Sequence, residues 1–289
     1  MSEEMHAWPE VMLTPEELRL AKRAALPKHL QLGVTLSGMR EVLAQLPSDA
    51  VRQVNAKTPR WEGRRVGCCT WRGAPKFPKN KTLNGYVNQI LLAAWEKEDK
   101  LAVCERLQKR GSPHVGEATV FVSWFLDTPI ETLLDALDQF LKQKGLRAED
   151  TYFWVFDYVI RQTEVKKDLV FLGDCVSAIG HTVLLMEPWH DPQPLKRAYC
   201  IKEVYHTQAS GAEFDVVMST KQQTAFEAAL VEDFGSIKTG MCKVDVRNAK
   251  CRNPKETESI LDELDGKVGF AECNKLVIGL LGSELGLGG

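Results

Sequence analysis

The residue best placed to do chemistry in this chain is Glu203, within the stretch from His181 to Tyr205. That stretch opens with a short apolar run, Thr182 to Met186, of the kind that forms a strand buried on both faces. It breaks at Pro188, turns through Asp191, Pro192 and Pro194, and resumes as a helix from about Leu195. At helical spacing Ile201, Val204 and Tyr205 share one face, while Tyr199 and Glu203 sit one turn apart on the other. Burying the apolar face therefore presents a carboxylate beside an aromatic ring. Such a carboxylate either faces water, the default for a charged helix position, or faces a ligand whose developing positive charge it could stabilise.

Other constellations carry less. Cys200 with His206, His181 or His190 would suggest a thiol nucleophile, but Cys200 and His206 are six positions apart, which does not put them on one helix face. No C-x-x-C or H-x-x-x-H occurs, so no metal site is expected, and no glycine-rich phosphate loop follows the first strand.

The elements that must position Glu203 read as follows. Thr14-Pro15-Glu16-Glu17 starts a helix with a capping box, and Leu36, Met39, Leu43 and Leu46 mark a second. Thr82 to Arg110 returns to helix, and Gly111-Ser112-Pro113 breaks it. From there short apolar runs alternate with amphipathic helices. Strands are expected at 119–123, 152–156, 182–186, 214–218 and 241–246. Capping residues at Thr128, Thr220 and Asn253 open helices between or after them. Alternation of this kind implies right-handed crossovers and a flavodoxin-like five-stranded parallel sheet of order 2-1-3-4-5. The reading is thus a helical, partly irregular N-terminal extension over residues 1–115 and an α/β domain over 116–289. In that order the ligand crevice opens at the carboxyl ends of strands 1 and 3, which are Ser123-Trp124-Phe125 and Glu187-Pro188-Trp189.

Composition bounds the function. A net charge of -2 argues against global attraction to nucleic acid or membrane, and no apolar run approaches the ~18 residues of a membrane helix. The acidic opening MSEEMHAWPE does not read as a secretory signal. Eight cysteines, two of them adjacent at Cys68-Cys69, are too sparse for a disulfide scaffold, so a reduced cytoplasmic setting is expected. Residues 57–81 stand apart, with eight Lys/Arg against one Glu and Trp61, Trp71 and Phe77 interleaved. This stretch either binds nucleic acid through phosphates and stacking, or is a loop that is solvated or docked on the acidic remainder of its own chain, and such a loop is favoured.

Tyr199-Cys200-Ile201-Lys202-Glu203 resembles the aromatic-Cys-x-x-Glu motif of TIR domains, and follows a buried third strand as it does there. The first strand ending in Ser123 resembles their first box, and YFWVFDY with its polar loop resembles their second strand and the loop after it. The likeness covers about residues 117–285. A little-characterised protist and algal group of TIR-like domains is closer still, sharing a proline-rich turn and Leu-x-Arg-Ala-aromatic-Cys before the glutamate; here these are Pro192, Pro194, Leu195, Arg197, Ala198, Tyr199, Cys200 and Glu203. The sequence departs at Tyr199, where tryptophan is usual, and at Trp124-Phe125, where a histidine or basic residue is commoner.

The resemblance implies one of two roles. Some TIR domains cleave NAD at the nicotinamide-ribose bond with the motif glutamate, and others only self-associate as signalling adaptors. On the first, Glu203 is the catalytic group, and Ser123, Trp124, Phe125, Trp189 and Tyr199 contact the substrate. NAD is then substrate rather than cofactor, and self-association completes the site in a signalling or defence setting. On the second, the domain assembles protein partners without chemistry.

Overall fold

A computed structural model describes residues 14–46, 91–235, 237 and 244–286. The basic stretch 57–81, residues 82–90 of the expected third helix and residues 241–243 of the expected fifth strand lie outside the described residues. Among the described residues no helix is long and apolar enough to cross a membrane.

The molecule is an α/β protein built on a six-stranded mixed sheet of order β2-β1-β4-β3-β5-β6. Its strands are β1 (Leu32–Val34), β2 (Val115–Glu117), β3 (Val120–Ser123), β4 (Phe153–Trp154), β5 (His181–Leu185) and β6 (Glu213–Val217). The four strands β4-β3-β5-β6 are mutually parallel and stand in the order expected for the first four. Their side chains, almost all buried, are the near-continuous apolar runs that two-sided burial demands.

Two parts of the expectation are corrected. The fifth strand, expected at Met241–Val246, does not form in its described part. Val246 instead begins a 3-10 turn that Asp245 caps through the Arg247 N–H. At the opposite edge, residues expected to be a separate helical extension enter the sheet. β1 pairs antiparallel with both β2 and β4, so the chain before residue 116 covers the edge that β4 would otherwise expose. No hydrophobic alternation marks this strand, because it is only three residues long and fully buried.

The helices among the described residues are α1 (Pro15–Ala25), α2 (Leu36–Ala44), α3 (Ala93–Asp99), α4 (Val103–Lys109), α5 (Ile130–Lys144), α6 (Phe156–Val159), α7 (Val165–Leu169), α8 (Leu172–Ile179), α9 (Ala198–Ala209), α10 (Thr220–Glu232), α11 (Pro254–Val268) and α12 (Phe270–Glu284). The connection from β3 to β4 runs one way along the sheet, and those from β4 to β5 and β5 to β6 run the other. Right-handed crossovers then set α5 on one face and α8 and α9 on the other. The contacts agree: α5 packs on α2 and α10, whereas α9 lies against α8, α11, α12 and strands β3, β5 and β6.

Local signals account for most helix ends. Thr14 and Glu17 form the full capping box, Asn253 caps α11 with Pro254 at its first position, and Gly180 ends α8 at φ 77°. Three details differ. The helix expected through residue 110 breaks at Lys100, a left-handed residue between α3 and α4. Pro129 takes the cap position of α5, leaving Thr128 one residue too early. Ser219, not Thr220, caps α10.

The N-terminal segment is bonded in as well as packed. The guanidinium of Arg23 on α1 donates to Glu117 and to the carbonyls of Ala118 and Ala178. His29 pairs with buried Asp168 at 3.0 Å, and Trp154 Nε1 donates to the Leu30 carbonyl at 3.0 Å. Gly33 marks the tightest joint, since a Cβ there would meet the Tyr152 carbonyl group at 2.9 Å and Ala118 Cα at 3.0 Å. These neighbours are backbone and cannot swing aside. Gly33→Ala is therefore expected to destabilise the fold by about 1–3 kcal/mol, the range for overpacking, as read from urea unfolding midpoints. Gly266→Ala, on α11 with open space around it, should instead be neutral or stabilising.

Candidate functional site

A cavity of 180 Å³ opens beyond the carboxyl ends of β3 and β4, beneath the first turns of α9. Its apolar walls are Val122 and Trp124 from β3 and its end, Trp154 and Phe156 from β4 and the start of α6, Val165 and Leu169 from α7, and Leu126. Its polar lining is Arg197, Tyr199, Cys200 and Glu203 along α9, with Arg252 and Glu256 at the start of α11.

Glu203 reaches this cavity because α9 buries Ile201 and Val204 against the sheet, which turns the face carrying Tyr199 and Glu203 toward the end of β3. There the fully buried Ser123 donates its hydroxyl to Glu203 Oε2 at 2.5 Å. The residue keeps some solvent contact, while its carboxyl group is enclosed by protein, and burial pushes that carboxyl up to about 8. Ser123, Cys200 and the charge of Arg197 pull the other way but do not offset the lost hydration. At neutral pH the site therefore holds a largely neutral acid, close to the pH at which one proton more or less changes its charge.

The neighbours divide by role. Cys200 is buried, its thiol directed at the Trp124 carbonyl at 3.6 Å, and burial holds it well above the ordinary thiol range. That removes it as a nucleophile at neutral pH, since the thiolate is the reactive form. Tyr199 donates to Glu256 at 3.4 Å, and burial likewise keeps its phenol protonated. Arg252 pairs with Asp127 at 3.0 Å. Arg197 rests over the ring of Phe125, 5.7 Å from its centroid.

The structure brings most of the expected site residues together. Glu203, Ser123, Trp124 and Tyr199 converge at the cavity, and Phe125 stands just outside it as the platform under Arg197. Trp189 does not join them. Its ring packs edge-on against Phe226 of α10 at 5.6 Å, and its backbone N–H donates to Gln222. The crevice correspondingly lies at the ends of β3 and β4 rather than β3 and β5, because the loop after β5 turns toward α10.

Trp154 and Phe156 supply the wall instead. They were legible only as strand residues, and nothing in their spacing set Phe156 apart; it enters the cavity because β4 stops at Trp154 and α6 begins at once. Arg252 is brought in by the parallel bridge between Arg197 and Lys250, a contact across 53 residues of chain. Comparisons with protein-family models, with curated proteins and with solved structures gave no match.

The enclosed carboxyl has a consequence for stability. Its folded value near 8 exceeds the ordinary 4.5, so between these pH values the folded chain holds a proton that the unfolded chain has released. Stability then falls as pH rises from about 5 through 8, at up to about 1.4 kcal/mol per unit for this group. Glu203→Gln removes that slope. The variant should gain in melting temperature over wild type between pH 5 and pH 9, and equal gains at both values would show that the carboxyl is not enclosed.

Proposed function

We propose that the protein is a TIR-like NAD glycohydrolase in which Glu203 carries the chemistry. The observation behind this reading is the single enclosed carboxyl at the floor of a cavity with four aromatic walls, Trp124, Trp154, Phe156 and Tyr199. The Tyr199-Cys200-Ile201-Lys202-Glu203 motif, with its likeness to TIR domains, points the same way.

The chemistry asks little of the protein. The bond between ribose C1′ and the nicotinamide nitrogen breaks, and its electron pair neutralises the ring, so the leaving group needs no acid. Positive charge then develops on the ribose as an oxocarbenium-like centre, which one carboxylate can stabilise. Water adds at C1′ and releases a proton, giving ADP-ribose. Ser123 holds the carboxylate at one oxygen and leaves the other for the ribose. A cavity of 180 Å³ is smaller than the ~300–1,000 Å³ of sites that enclose a whole ligand. It suits the nicotinamide-ribose half, with the ring against the aromatic walls and the adenosine half outside.

The ionised form of Glu203 is the active one on this mechanism. In the free enzyme that form is gained as pH rises through about 8, so kcat/KM for NAD should climb with a one-proton slope up to that region and then level. A flat profile from pH 6 to 9 would contradict the assignment.

Glu203→Ala should lower turnover by at least ~10²-fold, the scale for losing one preorganised electrostatic group. The assay is NAD consumption at high protein concentration, so that any self-association needed to complete the site can occur. Equal consumption by wild type and variant would remove Glu203 from the mechanism. Absence of turnover in both would favour the adaptor role.

A further inference from the structure

The polar groups lining the cavity are almost all used within the protein. Glu203 accepts from Ser123, Cys200 donates to the Trp124 carbonyl, and Tyr199 donates to Glu256. Arg252 donates to Asp127, Trp154 donates to the Leu30 carbonyl, and Glu256 also accepts from Asn253. Besides the second oxygen of Glu203, two groups are left over, and both are donors. The guanidinium of Arg197 makes neither a hydrogen bond nor an ion pair among the described residues, and only rests on the ring of Phe125. The indole Nε1 of Trp124, a residue 4% exposed, is buried with no acceptor.

Buried donors are nearly always satisfied, and a pocket that keeps surplus donors with no matching acceptor is complementary to a ligand rich in oxygen. The planar guanidinium makes paired bonds to an oxyanion, and stacking on Phe125 fixes its plane before the ligand arrives. Spacing narrows the class. Arg197 precedes Glu203 by six residues, about 9 Å along a helix, and its charge is felt at the Glu203 carboxyl. A ribose seated at Glu203 carries its 5′ oxygen one methylene away from the ring, within the span of an arginine side chain.

We propose that Arg197 is the phosphate-recognition residue of this site, its guanidinium taking the 5′-phosphate oxygens of a ribonucleotide whose sugar lies at Glu203, with Trp124 Nε1 donating to a further oxygen of the same ligand. The inference rests on reading the cavity as a nucleotide site, and it makes the site selective for the phosphorylated nucleotide over the bare nucleoside.

The test uses the full chain and two simple probes, ribose 5-phosphate and ribose, titrated by calorimetry at pH 7. Wild type should bind the phosphorylated sugar at least about tenfold more tightly, the scale of one charge-assisted contact. Arg197→Met should erase that preference, and Glu203→Gln should keep it. Because the Arg197 head group makes no hydrogen bond or ion pair among the described residues and only stacks on Phe125, the variant should fold, which circular dichroism checks. The wild-type comparison needs no variant at all. Equal affinity for the two sugars, binding of neither at millimolar concentration, or a preference that survives Arg197→Met would overturn the proposal. A wild type that prefers ribose 5-phosphate through Arg197 but leaves NAD intact would refute the hydrolase and leave the phosphate site standing.

Discussion

A hydrogen bond of 2.5 Å between Ser123 and Glu203 joins the end of the central strand to the helix that crosses it, and the site is arranged about that contact. Ser123 lies at the last residue of β3, fully buried, where its hydroxyl would otherwise have no use. Glu203 lies one turn beyond Tyr199 on the polar side of α9. Joining them draws the carboxyl out of water, and the lost hydration raises its proton affinity to near neutrality. A carboxylate splayed into solvent would show no such shift and would hold no geometry.

The enclosure depends on chain that lies far from the motif. Trp154 forms one wall of the cavity because its ring stacks on Phe121 at 4.7 Å and its indole N–H is held by the Leu30 carbonyl. Leu30 belongs to the segment that becomes β1, and that segment is itself fixed by His29 on Asp168 and by the close fit of Gly33 on Tyr152. The floor of α7 that supplies Val165 and Leu169 is tied to the same place through Asp168. The N-terminal residues therefore act on the site through packing, without touching it.

The cavity also shows two contrasting tryptophans. Trp154 has its polar atom satisfied and serves as a wall, whereas Trp124 is equally buried and has an N–H with no acceptor. Beside it Arg197 keeps its charge on an aromatic ring rather than on a carboxylate. A carboxyl and an indole N–H drawn out of water are costly to keep, and the carboxyl lessens that cost by holding its proton.

Periodicity along the chain was enough to place Glu203 and Tyr199 on one face of α9, and capping residues to start helices at Thr14 and at Asn253-Pro254, while the order of the first four parallel strands came from the likeness of strand-helix alternation to a flavodoxin-like sheet. Each of these follows from interactions within a turn or two of backbone, or from the handedness that short crossovers impose. The composition of the cavity was decided elsewhere. That Trp154 and Phe156 form its wall while Trp189 packs on Phe226, that residues 32–34 become a strand beside β4, and that Arg197 finds Phe125 are all contacts between segments tens of residues apart. Spacing can say which side of its own helix or strand a residue faces. Only the folded chain says which distant residue meets it there, because that is fixed by packing the whole core at once.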